Sequence, residues 1–256
     1  MKTLIRHIGK IAGRLVPVLG IWVVSLPLYA ASLQVTPTNL VFEPGDQSHR
    51  LWLINNGERT IQAQVRLFGW AQEQDREVLQ ASQAFALSPA MVSIPPGERQ
   101  LVRVIRRPAQ VNAAAQREAS FRILVDELPV ANGSGEQGVN FVFRYSLPLF
   151  VWPSAKMQLN PDVDLQWSLR NTETGVVLSL QNNGSKSAQI ADLIFMSPPK
   201  QMTIKDGLFG YVLAGQTREW RLDNVDADVV TRTKSIRAVI NGELVEHSIG
   251  GDAQAR

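Results

Sequence analysis

The chain has 256 residues, with 26 Lys and Arg against 23 Asp and Glu, three His and no Cys. Without thiols, and with His7, His49 and His247 far apart, it lacks the ligands and spacing of an ordinary zinc site and cannot form a disulfide framework. Four of the basic residues fall in the first thirty positions, so the remainder carries 22 against 23, a net charge of −1, and nothing in it calls for nucleic acid or an anionic membrane.

The first segment is a leader. Lys2, Arg6, Lys10 and Arg14 form a basic stretch without an acid, the run Leu15 to Leu28 is apolar over 14 residues, and Tyr29-Ala30-Ala31 closes it with small residues. That order is the pattern of a secretory signal peptide. The run contains Pro17, Gly20 and Pro27 and is short of the roughly 20 residues that span a bilayer. The expectation is an exported protein, residues 1–30 removed after Ala30, with no stable membrane insertion.

From residue 32 the segments are short, β-rich and punctuated by turns. Leu33 to Thr36, Leu40 to Phe42 and Leu51 to Ile54 precede Asn55-Asn56-Gly57. Ala63 to Trp70 alternates with period two, Val92 to Ile94 leads into Pro95-Pro96-Gly97, and Leu101 to Ile105, Phe121 to Val125 and Val139 to Tyr145 follow. About seven strands in this span read as a β-sandwich. The Ala- and Gln-rich stretch Val111 to Glu118 has room for one helical turn and reads as a crossover. The pattern restarts after Pro153: Asp164 to Leu169, Gly175 to Leu180, Ile190 to Phe195, Phe209 to Leu213, Arg218 to Leu222 and Ser235 to Ile240, with Asn241-Gly242 marking a hairpin. Leu53-Ile-Asn-Asn-Gly57 matches Leu180-Gln-Asn-Asn-Gly184, which favours two related sandwiches. The expected domains are 31–153 and 154–250, followed by a disordered tail, 251–256.

Catalytic chemistry has no constellation to stand on. There is no Gly-x-Ser-x-Gly elbow. The neighbouring carboxylates Asp126-Glu127 and Asp223 to Asp228 read as a strand end and a solvated loop, because adjacent residues of a strand face opposite ways. No catalytic residue, metal or cofactor is expected.

The sharpest feature is the strand Val139 to Phe150. Val139, Phe141 and Phe143 share one face, continued by Tyr145 and Leu147, after a flexible run from Pro129 to Gly138. Packing on its own core accounts for such a row. So does offering it to a partner, where each buried side chain is worth roughly 1.5–3 kcal/mol and backbone pairing sets the register.

The landmarks Asn55-Asn56-Gly57, Pro95-Pro96-Gly97 before Arg103, Arg117-Glu118, Phe121 to Pro129 and Arg144-Tyr-Ser-Leu-Pro-Leu-Phe150 occur in an order and spacing that resemble the PapD-like periplasmic pilus chaperones of the chaperone–usher pathway. Leu165 to Asn171 and Phe209 to Leu213 resemble the archaic branch of that family. The resemblance implies an all-β protein of two immunoglobulin-like β-sandwich domains set at an angle in an L. It implies a non-enzymatic chaperone that donates its seventh strand to an incomplete pilus subunit and passes the subunit to an outer-membrane usher. By position the donor residues are Val139, Phe141 and Phe143, with Tyr145 beyond them. Well-known members anchor the subunit carboxylate with an Arg on the first strand and a Lys on the seventh; here Asn39 and a position at or near Pro148 stand there instead. Arg122 and Arg144, on neighbouring strands, are the expected replacement anchor. A subunit-free chaperone with an open edge is also expected to self-associate. Two other readings stand beside this one. A structural fibre subunit would carry an exposed N-terminal donor strand, and a carbohydrate-binding or enzymatic β-sandwich would need converging carboxylates or a Trp platform.

Overall fold

The computed structural model describes residues 33–73, 76–107, 116–129, 142–153 and 162–249. The leader, most of the Val111 to Glu118 crossover, Val139 and Phe141, and the tail 251–256 lie outside the described residues.

Two sheets are built from the first half. One orders β1 (Leu33–Thr36), β3 (Ser48–Asn55), β8 (Arg99–Arg106) and β6 (Phe85–Ser88), all antiparallel. The other orders β2 (Leu40–Phe42), β10 (Arg144–Val151), β9 (Ala119–Leu128), β4 (Ile61–Glu73) and β5 (Arg76–Ala81), with β7 (Met91–Ile94) also paired to β4. The chain crosses from one sheet to the other at Pro37-Thr38-Asn39, so β1 and β2 edge different sheets. Alternation explains the core. Leu51, Leu53, Val102 and Val104 from one sheet meet Val65, Leu67, Ile123, Val125, Leu147 and Leu149 from the other, while their sequence neighbours lie on the opposite faces of the two sheets.

The second half repeats the plan. β11 (Leu165–Thr172), β12 (Gly175–Asn182) and β15 (Thr217–Leu222) face β14 (Lys200–Val212), β13 (Ala188–Ser197), β16 (Ser235–Ile240) and β17 (Glu243–Ser248) across a core of Trp167, Leu178, Leu180, Ile190, Leu193 and Phe195 among others. The hairpin expected at Asn241-Gly242 is present, with both residues at positive φ, as a tight two-residue turn requires. One expectation fails. Part of the acidic stretch Asp223 to Asp228, expected as loop, leads into a short helix, α1 (Ala227–Arg232), which buries Val229 and closes an Asp228–Arg232 pair at 2.6 Å. Six residues are too few for helical periodicity to stand out in a sequence. β5, β6 and the first half of β14 were also not expected, and β5 and that half of β14 bury little.

The two sandwiches meet over a third apolar cluster: Trp70, Phe150 and Leu213, flanked by Val41, Trp152 and Tyr211. Polar contacts fix the docking. The Gln72 side-chain amide donates to the Tyr211 carbonyl at 2.7 Å and accepts from the Leu213 N–H at 3.0 Å, and the Gln72 N–H donates to the Gln216 side chain at 2.6 Å. The Glu118 N–H donates to the Ser185 carbonyl at 2.8 Å, and its carboxylate accepts from the Ser187 N–H at 3.2 Å and from the Ser187 hydroxyl.

Candidate functional site

The candidate site is the outer edge of β10. The Glu127 N–H donates to the Phe143 carbonyl at 2.9 Å, and the Trp152 N–H donates to the Phe42 carbonyl, also at 2.9 Å. In an antiparallel ladder successive residues turn their backbone groups to opposite sides. The odd-numbered residues of β10 therefore pair with β9, while Arg144, Ser146, Pro148 and Phe150 present theirs to the outer edge. β2 covers that edge only opposite Leu149 to Val151. From Arg144 to Pro148 the edge has no strand on it among the described residues. Pro148 has no N–H to offer there, and an edge is where a sheet tolerates proline.

Side chains follow the complementary pattern. Leu147, Leu149 and Val151 fill the first core. Tyr145, one step out, is half-buried against it, and its hydroxyl donates to the Leu33 carbonyl. At Phe143 the row leaves the core, and this ring is 37% exposed with Val142 beside it at 54%. Of the four expected donor residues, Phe143 and Tyr145 thus lie in one line running off the sandwich; Val139 and Phe141 are outside the described residues.

The expected anchor residues share the other face of this sheet without meeting. Arg144 stands opposite Asp126, and Arg122 stands opposite Pro148. Four residues of strand separate the two levels, about 13 Å. Asp126 accepts from Arg144 and, at 2.7 and 3.1 Å, from Arg66. Burial pushes the Asp126 carboxyl up, but the two arginines outweigh it and hold it below its ordinary value. Arg122 is buried, its guanidinium 3.6 Å from the centre of the Trp70 ring and 3.7 Å from the Glu77 carboxylate. Burial lowers its pKa, with Glu77 and Tyr211 opposing, and its Nε has no hydrogen-bond partner.

Between the sandwiches lies a cleft of about 350 Å³, lined by Asn39, Glu118, Phe150, Trp152, Lys186 and Tyr211 among others. Lys186 is held there by Asp162 at 2.9 Å, with its ammonium 3.9 Å from the centre of the Trp152 ring. Burial pushes the Glu118 carboxyl up to about 7, against hydrogen bonds from Ser187 and Ser120 and the charge of Lys186. Sequence reasoning passed over Gln72, Lys186 and the bridging role of Glu118, since a single polar residue carries no periodic signal for a contact with a distant strand. No three His, Cys, Asp or Glu side chains converge as a metal site among the described residues.

Residues 32–156 match the family model of the pili and flagellar-assembly chaperone, PapD N-terminal domain. A chain of the CsuC–CsuE chaperone–tip adhesion subunit pre-assembly complex, from archaic chaperone–usher Csu pili of Acinetobacter baumannii, superposes with a TM-score of 0.66 at 28% identity, over 84% of this chain and 98% of that one. Residues 32–156 are thus a PapD-like pilus-chaperone domain. The Pseudomonas aeruginosa CupB2 chaperone shares the fold at 20% identity, with a TM-score of 0.57 over 85% of this chain and 100% of its own. So does a chain of the Salmonella enterica SafA pilin–SafB chaperone complex, at 15% identity and a TM-score of 0.60 over 87% and 98%. No curated protein matches the chain in sequence. The fold is accordingly two immunoglobulin-like sandwiches, and the family is one of chaperones, not enzymes.

Within this PapD-like fold the described tryptophans have structural posts. Trp167 is in the second core, Trp220 stacks on Phe209, Trp70 and Trp152 line the junction of the sandwiches and Trp52 lies under Arg99.

Proposed function

We propose that this chain is a periplasmic chaperone of the archaic branch, exported by its leader, that holds pilus subunits by adding the open edge of β10 to their unfinished sandwich and passes them to an outer-membrane usher. Its working parts are an N-terminal domain over 31–153 and a C-terminal domain over 154–250. The reading is carried by one observation: the strand that leaves its own core at Phe143 also has no strand on its outer edge from Arg144 to Pro148 among the described residues. Backbone groups of Arg144 and Ser146 give a guest strand its register, and the row Val139, Phe141, Phe143 and Tyr145 fills the pockets a missing strand vacates. The similarity to a chaperone–tip adhesion subunit complex supports subunits as the guests.

Arg122, level with Pro148 and with an unpartnered Nε, receives the subunit carboxylate, and Arg144, seated on Asp126, steadies the start of the donor edge. The free chaperone is expected to cover the same edge with a second copy, which size-exclusion chromatography reads directly.

The test is capture in the periplasm. The tagged mature chain, expressed beside candidate subunits, co-purifies with a small pilin-like protein, and Phe141→Glu with Phe143→Glu releases it. A variant that still captures the subunit contradicts the donor row. Capture that survives Arg122→Ala with Arg144→Ala, in protein that keeps its melting transition, contradicts the anchor.

A further inference from the structure

The four-stranded sheet of the first sandwich carries charge of one sign. β1, β3, β6 and β8 contain no Asp or Glu, and their outward positions include Arg50, Arg99 and Arg103. The opposite sheet differs, since there Arg66 and Arg144 share Asp126 and Arg122 has Glu77. Arg50 and Arg103 are directly opposed across the β3–β8 ladder. Like charges so placed repel. Both are exposed, and no described ion pair relieves either one or Arg99. The Arg99 guanidinium is 4.7 Å from the centre of the Trp52 ring, a contact that holds its plane over the sheet. Because the chain without its leader is close to neutral, this face is a local concentration of charge and not a reflection of overall composition.

We infer that this face docks an acidic polypeptide segment, whose carboxylates are received by Arg50, Arg99 and Arg103. Among the described residues the repulsive pair stays unrelieved, and a partner that brings carboxylates removes the repulsion. The cations on the face are arginines without a lysine, which suits planar, two-pronged recognition of carboxylates. A bilayer surface fits less well. Interfacial binding draws on aromatic side chains that enter the headgroup region, and the indole on this face, Trp52, is half-buried beneath Arg99. The site lies in the sheet that does not contain β10, so it stands apart from subunit capture.

The probe is a fluorescein-labelled peptide of alternating Asp and Ser, followed by anisotropy with the full mature chain at low and at physiological salt. The wild type binds, more weakly as salt rises. Arg103→Glu loses roughly tenfold or more in affinity, a difference of about 1.4 kcal/mol, and melts at a higher temperature, since it turns a repulsive pair into an attractive one. Arg50→Ala with Arg103→Ala also loses the peptide, whereas Arg221→Ala, on the second sandwich, binds as the wild type does. Subunit capture by Arg103→Glu is unchanged, which separates this site from the β10 edge. Absence of wild-type binding, or wild-type affinity in the Arg103→Glu and double-alanine variants, overturns the inference. So does binding of phosphatidylglycerol vesicles, lost in Arg103→Glu, by a wild type that ignores the peptide.

Discussion

Asn55 and Asn182 hold the same turn in the two sandwiches, each fully buried at a strand end. The Asn55 amide donates to the Arg59 and Ile94 carbonyls at 2.7 and 2.9 Å, and its oxygen accepts from the Gly57 N–H. Asn182 does the same with Lys186, Val212 and Gly184. The repeated Asn-Asn-Gly phrase is thus a device that ties a turn to a distant strand, and this much was legible in the sequence as a repeat though not as a bond pattern. Replacing either Asn with Ala leaves buried carbonyls unpaired, so each substitution should cost about 1–3 kcal/mol, read as a lower urea midpoint. Gly184 is constrained differently, because a Cβ there would lie 2.5 Å from the Asp162 carbonyl and 2.7 Å from the Val163 Cα. Gly184→Ala should destabilise the second sandwich, whereas Gly45, with open space around it, is constrained only by its positive φ.

β10 is the element on which the proposed function depends, and half of it was legible in the sequence. Alternation in Val139 to Phe150 revealed the apolar row, but alternation describes side chains and is silent about which edge of a strand is paired. The open edge follows from β2 being three residues long and ending its ladder at Leu149. The unexpected strands β5 and the first half of β14 mark the same limit, since strands with little burial write no hydrophobic pattern. Edge and row can be separated by experiment. Ser146 turns its N–H outward, so Ser146→Pro should leave the β9 pairing intact, as Pro148 does, and lower the melting temperature by only a few degrees. Subunit capture should nevertheless fall at least tenfold, because the guest strand loses a donor in its register.

At the scale of the molecule, the two sandwiches are joined by a small apolar cluster sealed by Gln72 and Glu118, neither of which periodicity could expose. Because burial raises the folded-state pKa of Glu118 from 4.5 to about 7, the folded chain holds a proton there that the unfolded chain releases. The associated stability is complete below about pH 4.5 and is lost as pH rises through about 7. The unfolding free energy from urea titrations should therefore decline between pH 5 and 7.5 by about 2 kcal/mol, and Glu118→Gln should flatten that slope. The central claim is subunit holding by strand addition, and hydrogen exchange tests it most directly at the Arg144 and Ser146 amides. In the free, monomeric chaperone these two should exchange quickly while Tyr145 and Leu147, paired to β9, are protected; with a subunit bound, Arg144 and Ser146 should become protected as well. Unchanged fast exchange at Arg144 and Ser146 in a purified chaperone–subunit complex would contradict the account.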